Sequence, residues 1–175
     1  MVHYRRSRVP GGTYFFTLTL QDRTSTLLVD HIDLLRQAWR KPLLNRPVEN
    51  LAVVVLPDHL HVLWRLPEND MDYSSRWRGI KAEFTRLLRK RVFIASRRKG
   101  SGYALWQRRY WEHMIRDEED LRRHMSYIHF NPVKHGYVSR VVDWPHSTFH
   151  EYVKDGLYPA DWGYGELLAL GEFGE

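Results

Sequence analysis

Two histidines one residue apart, His59 and His61, open the extended apolar run HLHVLW directly after the turn dipeptide Pro57-Asp58. Side chains alternate across a strand, so both imidazoles point to one face while Leu60 and Val62 point to the other. Paired neutral imidazoles supply two corners of a divalent-metal site, and two ligands do not complete one. The plainer alternative is a pair of polar residues on a half-exposed strand. A second constellation follows Asp117, where the acidic run DEED crowds the first turn of a helix as its dipole prefers. At 100° per residue, Leu121, Met125 and Ile128 form an apolar stripe, and Asp120, His124, Tyr127 and Asn131 a polar strip beside it. Packing does not force a tyrosine onto such a strip. It reads equally as a boundary residue with its hydroxyl in water, and Asn131 before Pro132 as the cap of a following turn.

The elements that must position these groups follow from pattern. TYFFTLTL (13–20) alternates as a half-buried strand. Asp30 is placed to cap a helix carrying Ile32, Leu35, Ala38 and Trp39, which Pro42 should stop. Residues 50–56 and 59–66 read as a hairpin around Pro57-Asp58. From Ser74 to about Phe93, Trp77, Ile80, Phe84, Leu87 and Leu88 make one helical stripe, with Arg78, Lys81, Thr85 and Arg89 on another. That basic face is either solvated or a ligand surface, and its charge continues into SRRKG at 96–100. Residues 104–115 read as a strand of mixed arginine and aromatic content, including Arg108 and Arg109. The helix from Asp117 should end near Asn131, since Pro132 disfavours α geometry before it. Residues from Arg140, rich in Pro, Gly and aromatics, read as irregular wrapping or a tail. The order is the split βαβ pattern: an α+β, ferredoxin-like antiparallel sheet with packed helices, in one domain behind a basic arm at 1–12.

Composition sets the partner class. Lys+Arg 27 against Asp+Glu 21 gives +6, and seven Trp, ten Tyr and seven Phe accompany that charge. Guanidinium groups beside flat rings suit the backbone and unpaired bases of nucleic acid. There is no cysteine, which excludes disulfides and thiolate metal sites. Neither a signal peptide nor an 18-residue apolar run is readable, so a soluble cytoplasmic protein without a membrane partner is expected.

The segments RRSRVPGGTYFFTLTL, PDHLHVLW, SSRWRGIK, WQRRYWEHMIRDEED, YIHFNPVKHGYV and DWPHSTFH span nearly the whole chain in order. In them the chain resembles the single-tyrosine HUH transposases, and specifically the REP-associated tyrosine transposases of bacteria. The resemblance implies a metal-dependent single-stranded DNA endonuclease and strand transferase in a nucleoid-associated setting. It implies His59 and His61 as ligands of Mg²⁺ or Mn²⁺, Tyr127 as the nucleophile and Asn131 as a third ligand, where relatives commonly carry Gln. Its substrates are short imperfect palindromes, met as hairpins with a flanking tetranucleotide. Arg5, Arg6, Arg8, Arg78, Lys81, Arg89, Arg108 and Arg109 are the candidate DNA contacts, and monomer or homodimer is left open.

Two other classes fit parts of the pattern. A non-catalytic single-stranded DNA or RNA-binding sheet would use the rings and charge but leave the histidine pair without a role. A metal-water hydrolase would recruit Asp58 or His129 as a further ligand.

Overall fold

The structure is a computed structural model that describes residues 8–94 and 105–163. Arg5, Arg6 and the loop at 96–100 lie outside the described residues. Period-two runs of aromatic and β-branched residues give β1 (Thr13–Thr19), β2 (Glu49–Val55) and β3 (His59–Arg65), and β4 (Trp111–Met114) completes one sheet. The order is β2-β3-β1-β4 with every pairing antiparallel. The winding β1-α2-β2-β3-α3-β4, with α2 at Ile32–Leu44 and α3 at Tyr73–Leu88, is the expected ferredoxin-like arrangement.

Alternation divides the strands between two cores. Tyr14, Phe16, Leu18, Leu60, Val62 and Trp64 face α2 and α3 in the larger one, where Trp64 and Trp77 stack at 3.9 Å. Phe15, Ala52, Val54 and Leu63 face the other way, onto Tyr127 and Ile128 of α4 (Glu118–Lys134). The α4 helix therefore closes the sheet face that the ferredoxin-like unit leaves open, and the histidines are on that face.

Helix boundaries move in ways that local chemistry explains. Asp30 does not cap α2: it ends a separate short turn, α1 (Leu27–Asp30), where its carboxylate accepts from Thr26 Oγ1. Pro42 does not stop α2 either. It falls in the last turn, where one missing N–H forfeits little, and it packs on Gly79 of α3, at which a Cβ would come within 3.1 Å of the proline ring. Asp72 caps α3 by accepting from Ser75 N, and the helix ends at Leu88 rather than near Phe93. Arg76 is buried inside this layer, bonded to Asp70 and to the carbonyls of Arg46, Pro47 and Asp72.

The expected strand at 104–115 is ordered as β4 only from Trp111. Before it, pairing with the end of β1 is confined to one bridge, Leu20 with Trp106, flanked by Gln107 N donating to the Thr19 carbonyl and Gln21 N to the Leu105 carbonyl, while Lys81 Nζ donates to the Gln107 carbonyl. Asp117, where the sequence starts this helix, caps α4 by accepting from Asp120 N, but the helix runs past Pro132 to Lys134. Pro132 again sits in the last turn, and the chain leaves α4 through Gly136 at φ +72°, a left-handed residue suited to glycine.

Beyond Arg140 the chain is less irregular than its composition suggests. A 3-10 turn (Val141–Asp143) and α5 (Phe149–Lys154) flank a stretch that pairs with the edge of β2. Val55 N donates to the His146 carbonyl and Thr148 N to the Val53 carbonyl. No helix among the described residues is long and apolar enough to cross a membrane.

Candidate metal and nucleophile site

The hairpin turn delivers His59 to the start of β3 with its tautomer already chosen by its neighbours. His59 Nδ1 lies 2.7 Å from Asp58 Oδ1, and Arg23 Nε lies 2.6 Å from the other carboxylate oxygen. Burial works against the Asp58 charge, but the bonds to His59 and Arg23 outweigh it and hold its pKa below the ordinary value. An anionic Asp58 takes the Nδ1 proton in a hydrogen bond and turns the Nε2 lone pair outward, the way a carboxylate orients a metal-binding histidine. That Nε2 is buried and has no hydrogen-bond partner among the described residues.

His61, two residues on, stands opposite Thr17 in the β1–β3 register, and Thr17 Oγ1 lies 2.9 Å from its Nδ1. Its ring centroid is 5.0 Å from that of His59. Both histidines are buried, so the half-exposed strand does not describe them.

The C-terminal half of α4 lies along this pair. The Tyr127 ring meets His61 edge to face at 5.2 Å and Phe15 at 6.0 Å. Asn131, one turn later, is fully buried, and His135, which caps the helix, comes within 5.2 Å of His59 between ring centroids. Lys134 Nζ sits 3.4 Å from the Tyr127 hydroxyl and 4.9 Å from its ring centre. The strip Asp120, His124, Tyr127 and Asn131 is thus the buried face of α4, whereas Leu121 and Met125 are only half-buried. Tyr127 is not at a solvent boundary.

His129, a candidate ligand in the hydrolase reading, points elsewhere. It packs among Phe149, Tyr152 and Tyr158 with Nε2 3.2 Å from Thr148 Oγ1, and burial pushes its pKa down to about 4. Asp58 lies behind His59 as an orienting group.

Four neighbours of the site escaped sequence reasoning. Thr17 and Arg23 depend on strand register and loop path, which no local pattern encodes. Lys134 was legible: seven residues is almost two turns, which stacks it over Tyr127 once the helix continues through Pro132. His135 follows from the same continuation.

The basic candidates divide. Arg78, Lys81 and Arg108 line a cleft of about 260 Å³ with Ser74, Trp77 and Tyr110. Lys81 is also engaged structurally, donating to Gln107 and lying 5.6 Å from the centre of the Trp106 ring. Arg8, Arg89 and Arg109 are exposed, and none of them lines that cleft. The cleft belongs to the α3 layer, whereas the histidines and Tyr127 lie under α4.

A four-stranded antiparallel sheet that presents a His-x-His pair to a helix-borne tyrosine is the arrangement of a single-tyrosine HUH enzyme. The family model described as "Transposase IS200 like" matches residues 9–131. A provisionally named REP-associated tyrosine transposase of Haemophilus influenzae (strain Rd) is 50% identical over 165 residues, covering 93% of this chain and 94% of that one. The REP-associated tyrosine transposase of Escherichia coli (strain K12) is 49% identical over 162 residues, covering 93% and 91%. The solved structure of a REP-associated tyrosine transposase bound to a REP hairpin superposes with a TM-score of 0.84 at 47% identity, covering 99% of this chain and 98% of that one. The chain belongs to the IS200-like transposases, enzymes of DNA cleavage and strand transfer.

Proposed function

We propose that this chain cuts and rejoins single-stranded DNA beside a palindromic hairpin, with Tyr127 as nucleophile and His59, His61 and Asn131 holding one divalent ion, Mg²⁺ or Mn²⁺. The observation that carries this reading is the edge-to-face contact of Tyr127 with His61 at 5.2 Å, in a buried site where His59 Nε2 has no hydrogen-bond partner among the described residues. The donor set fits such an ion: two imidazoles whose Nδ1 atoms are already engaged, and an amide oxygen on the facing helix. When bound, the ion would neutralise charge on the oxygens of the scissile phosphate.

The residues of the chain do the rest. Tyr127 Oη forms a bond to phosphorus as the bond from phosphorus to the 3′ oxygen breaks. The phenol proton passes to solvent, and the departing 3′ oxygen takes one up. The product is a 5′-phosphotyrosine and a free 3′-OH, and attack by a 3′-OH reverses the step with no external energy source. A free phenol, with a pKa near 10, is almost entirely protonated at neutral pH, so the Lys134 ammonium beside the hydroxyl supports the charge that attack requires. Phe15 and His61 wall the tyrosine ring and fix its direction of approach.

Hairpin DNA as partner is supported by the relative solved with a REP hairpin and by the net charge of +6. Arg5, Arg6, Arg8, Arg78, Lys81, Arg89, Arg108 and Arg109 supply its backbone contacts in this reading. The setting is the bacterial cytoplasm, at the nucleoid.

The test is a labelled single-stranded hairpin incubated with protein and Mg²⁺ or Mn²⁺. The expected product is a protein–DNA adduct that survives denaturation and carries the label from the 3′ side of the cut. Cleavage without an adduct would instead establish a metal-water hydrolase.

A further inference from the structure

Away from the His59–His61 site, β4 and the first half of α4 bring a second set of metal-ligating side chains together. His113, Asp120 and His124 each place a ring nitrogen or carboxylate oxygen within 4.8 Å of the others. His113 Nε2 is 2.8 Å from Asp120 Oδ2, and His124 Nδ1 is 3.1 Å from Asp120 Oδ1. The two imidazoles stack with centroids 4.7 Å apart and 14° between their planes, so both present a nitrogen edge to one carboxylate. We propose that His113, Asp120 and His124 form a second divalent-metal site, for a zinc-class ion rather than magnesium, which ties β4 to α4.

The donor set points to that class. Two imidazoles and one carboxylate suit ions of intermediate softness, whereas magnesium prefers oxygen ligands and keeps its waters. Ligands bonded at about 2.1 Å to one ion lie about 3.0–3.4 Å apart at right or tetrahedral angles. The His-to-carboxylate separations of 2.8 and 3.1 Å are within a few tenths of an ångström of that spacing.

Access and charge also fit. The Asp120 and His124 side chains are 6% and 1% exposed, whereas His113 at 24% leaves one side open for ion entry and a water ligand. Burial pushes the pKa of His124 down, which favours the neutral imidazole a metal needs. Binding asks two concessions. Arg116, whose side chain is 69% exposed and touches Asp120 Oδ2 at 3.3 Å, turns to solvent, and His124 Nδ1 yields its 2.8 Å contact with the Asp120 carbonyl. The Arg116 backbone N–H, 3.1 Å from Asp120 Oδ2, remains to orient the carboxylate.

The experiment titrates metal-stripped protein with Zn²⁺, and with Co²⁺ as a coloured probe, in a His59→Ala/His61→Ala background. The expected result is one equivalent retained through desalting, a melting temperature raised by several degrees, and Co²⁺ absorption that millimolar Mg²⁺ does not remove. Adding His113→Gln or Asp120→Asn should abolish all three. Should the double-alanine protein fail to fold, wild type is compared with His113→Gln, with one fewer Zn²⁺ expected in the variant. Equal stoichiometry with and without His113, or no retained Zn²⁺ in a folded double-alanine protein, would show a hydrogen-bonded clamp only and overturn the proposal. None of these readouts uses DNA cleavage, so the outcome is independent of the Tyr127 assignment.

Discussion

Tyr127 and His61 meet edge to face with centroids 5.2 Å apart, the tyrosine delivered by α4 and the histidine by β3. Both are fully buried, so their relation is set by helix-on-sheet packing and not by a loop. Tyr127→Phe keeps that ring packing and removes the hydroxyl, which lies a long 3.4 Å from Lys134 Nζ. Thermal melts should show a stability change within about 1 kcal/mol. The covalent DNA adduct, read on a denaturing gel, should disappear. An undiminished adduct would move the nucleophile to another of the ten tyrosines.

His59→Ala and His61→Ala should each abolish cleavage while hairpin affinity stays within a few-fold, because affinity comes mainly from phosphate contacts. Both side chains are buried, so each substitution should also lower stability by about 1–3 kcal/mol. Binding and cleavage measured on the same folded sample separate the effects. Wild-type cleavage at full rate in excess chelator would remove the metal from the reaction.

In the cleft between α3 and the segment before β4, Arg78→Ala and Arg108→Ala should each flatten the dependence of log affinity on log salt by about one unit, evenly across sequences. Lys81→Ala should in addition lower the melting temperature, since its ammonium holds the Gln107 carbonyl. An unchanged salt slope in the Arg78/Arg108 double variant would take the cleft out of the DNA footprint.

Arg76 is 1% exposed and is held by Asp70 and three backbone carbonyls. Arg76→Leu strands those acceptors and should destabilise by about 3–5 kcal/mol in denaturant titration. Arg76→Lys should recover little, because one ammonium cannot reproduce the guanidinium fork. A loss under 1 kcal/mol in either variant would show that water replaces the network.

Between α2 and α3, Glu83 bonds Arg86 and Lys41, and the Arg86 bond leads in lowering its pKa to about 2. A carboxyl depressed in the folded state contributes stability above the unfolded value near 4.5, and that contribution is lost as pH falls through about 2. Both cations are largely in water, so screening reduces the effect to the order of 1 kcal/mol. Glu83→Gln should therefore lower stability at pH 7 and lose the difference near pH 2. A constant difference across that range would assign the effect to packing.

The same-face placement of the histidine pair was legible because a period of two needs no tertiary information, and that of Tyr127 beside His124 and Asn131 because of a period of 3.6; the roles proposed for them come from the family resemblance. The burial of that polar strip was not legible. Hydrophobicity chose Leu121, Met125 and Ile128 as the packed stripe, and all three do pack on the second core, but α4 also turns its polar strip onto a sheet face lined by Phe15, His59 and His61, where polar neighbours are accepted. Pro42 and Pro132 misled for a common reason: a proline in a last turn removes one bond, and tertiary packing on Gly79 or beneath α4 outweighs it. Thr17 faces His61 only through a pairing 44 residues apart, which nothing local announces.

Because odd and even residues of β1 serve different cores, the sheet acts as a partition between two design problems. Phe16 can be repacked with Trp64 and Trp77 to raise thermal endurance, while its neighbour Phe15 stays fixed as the wall of the tyrosine. A laboratory selection for heat tolerance should therefore enrich changes on the α2–α3 side that spare the Arg78–Arg108 cleft, leaving the α4 side unchanged.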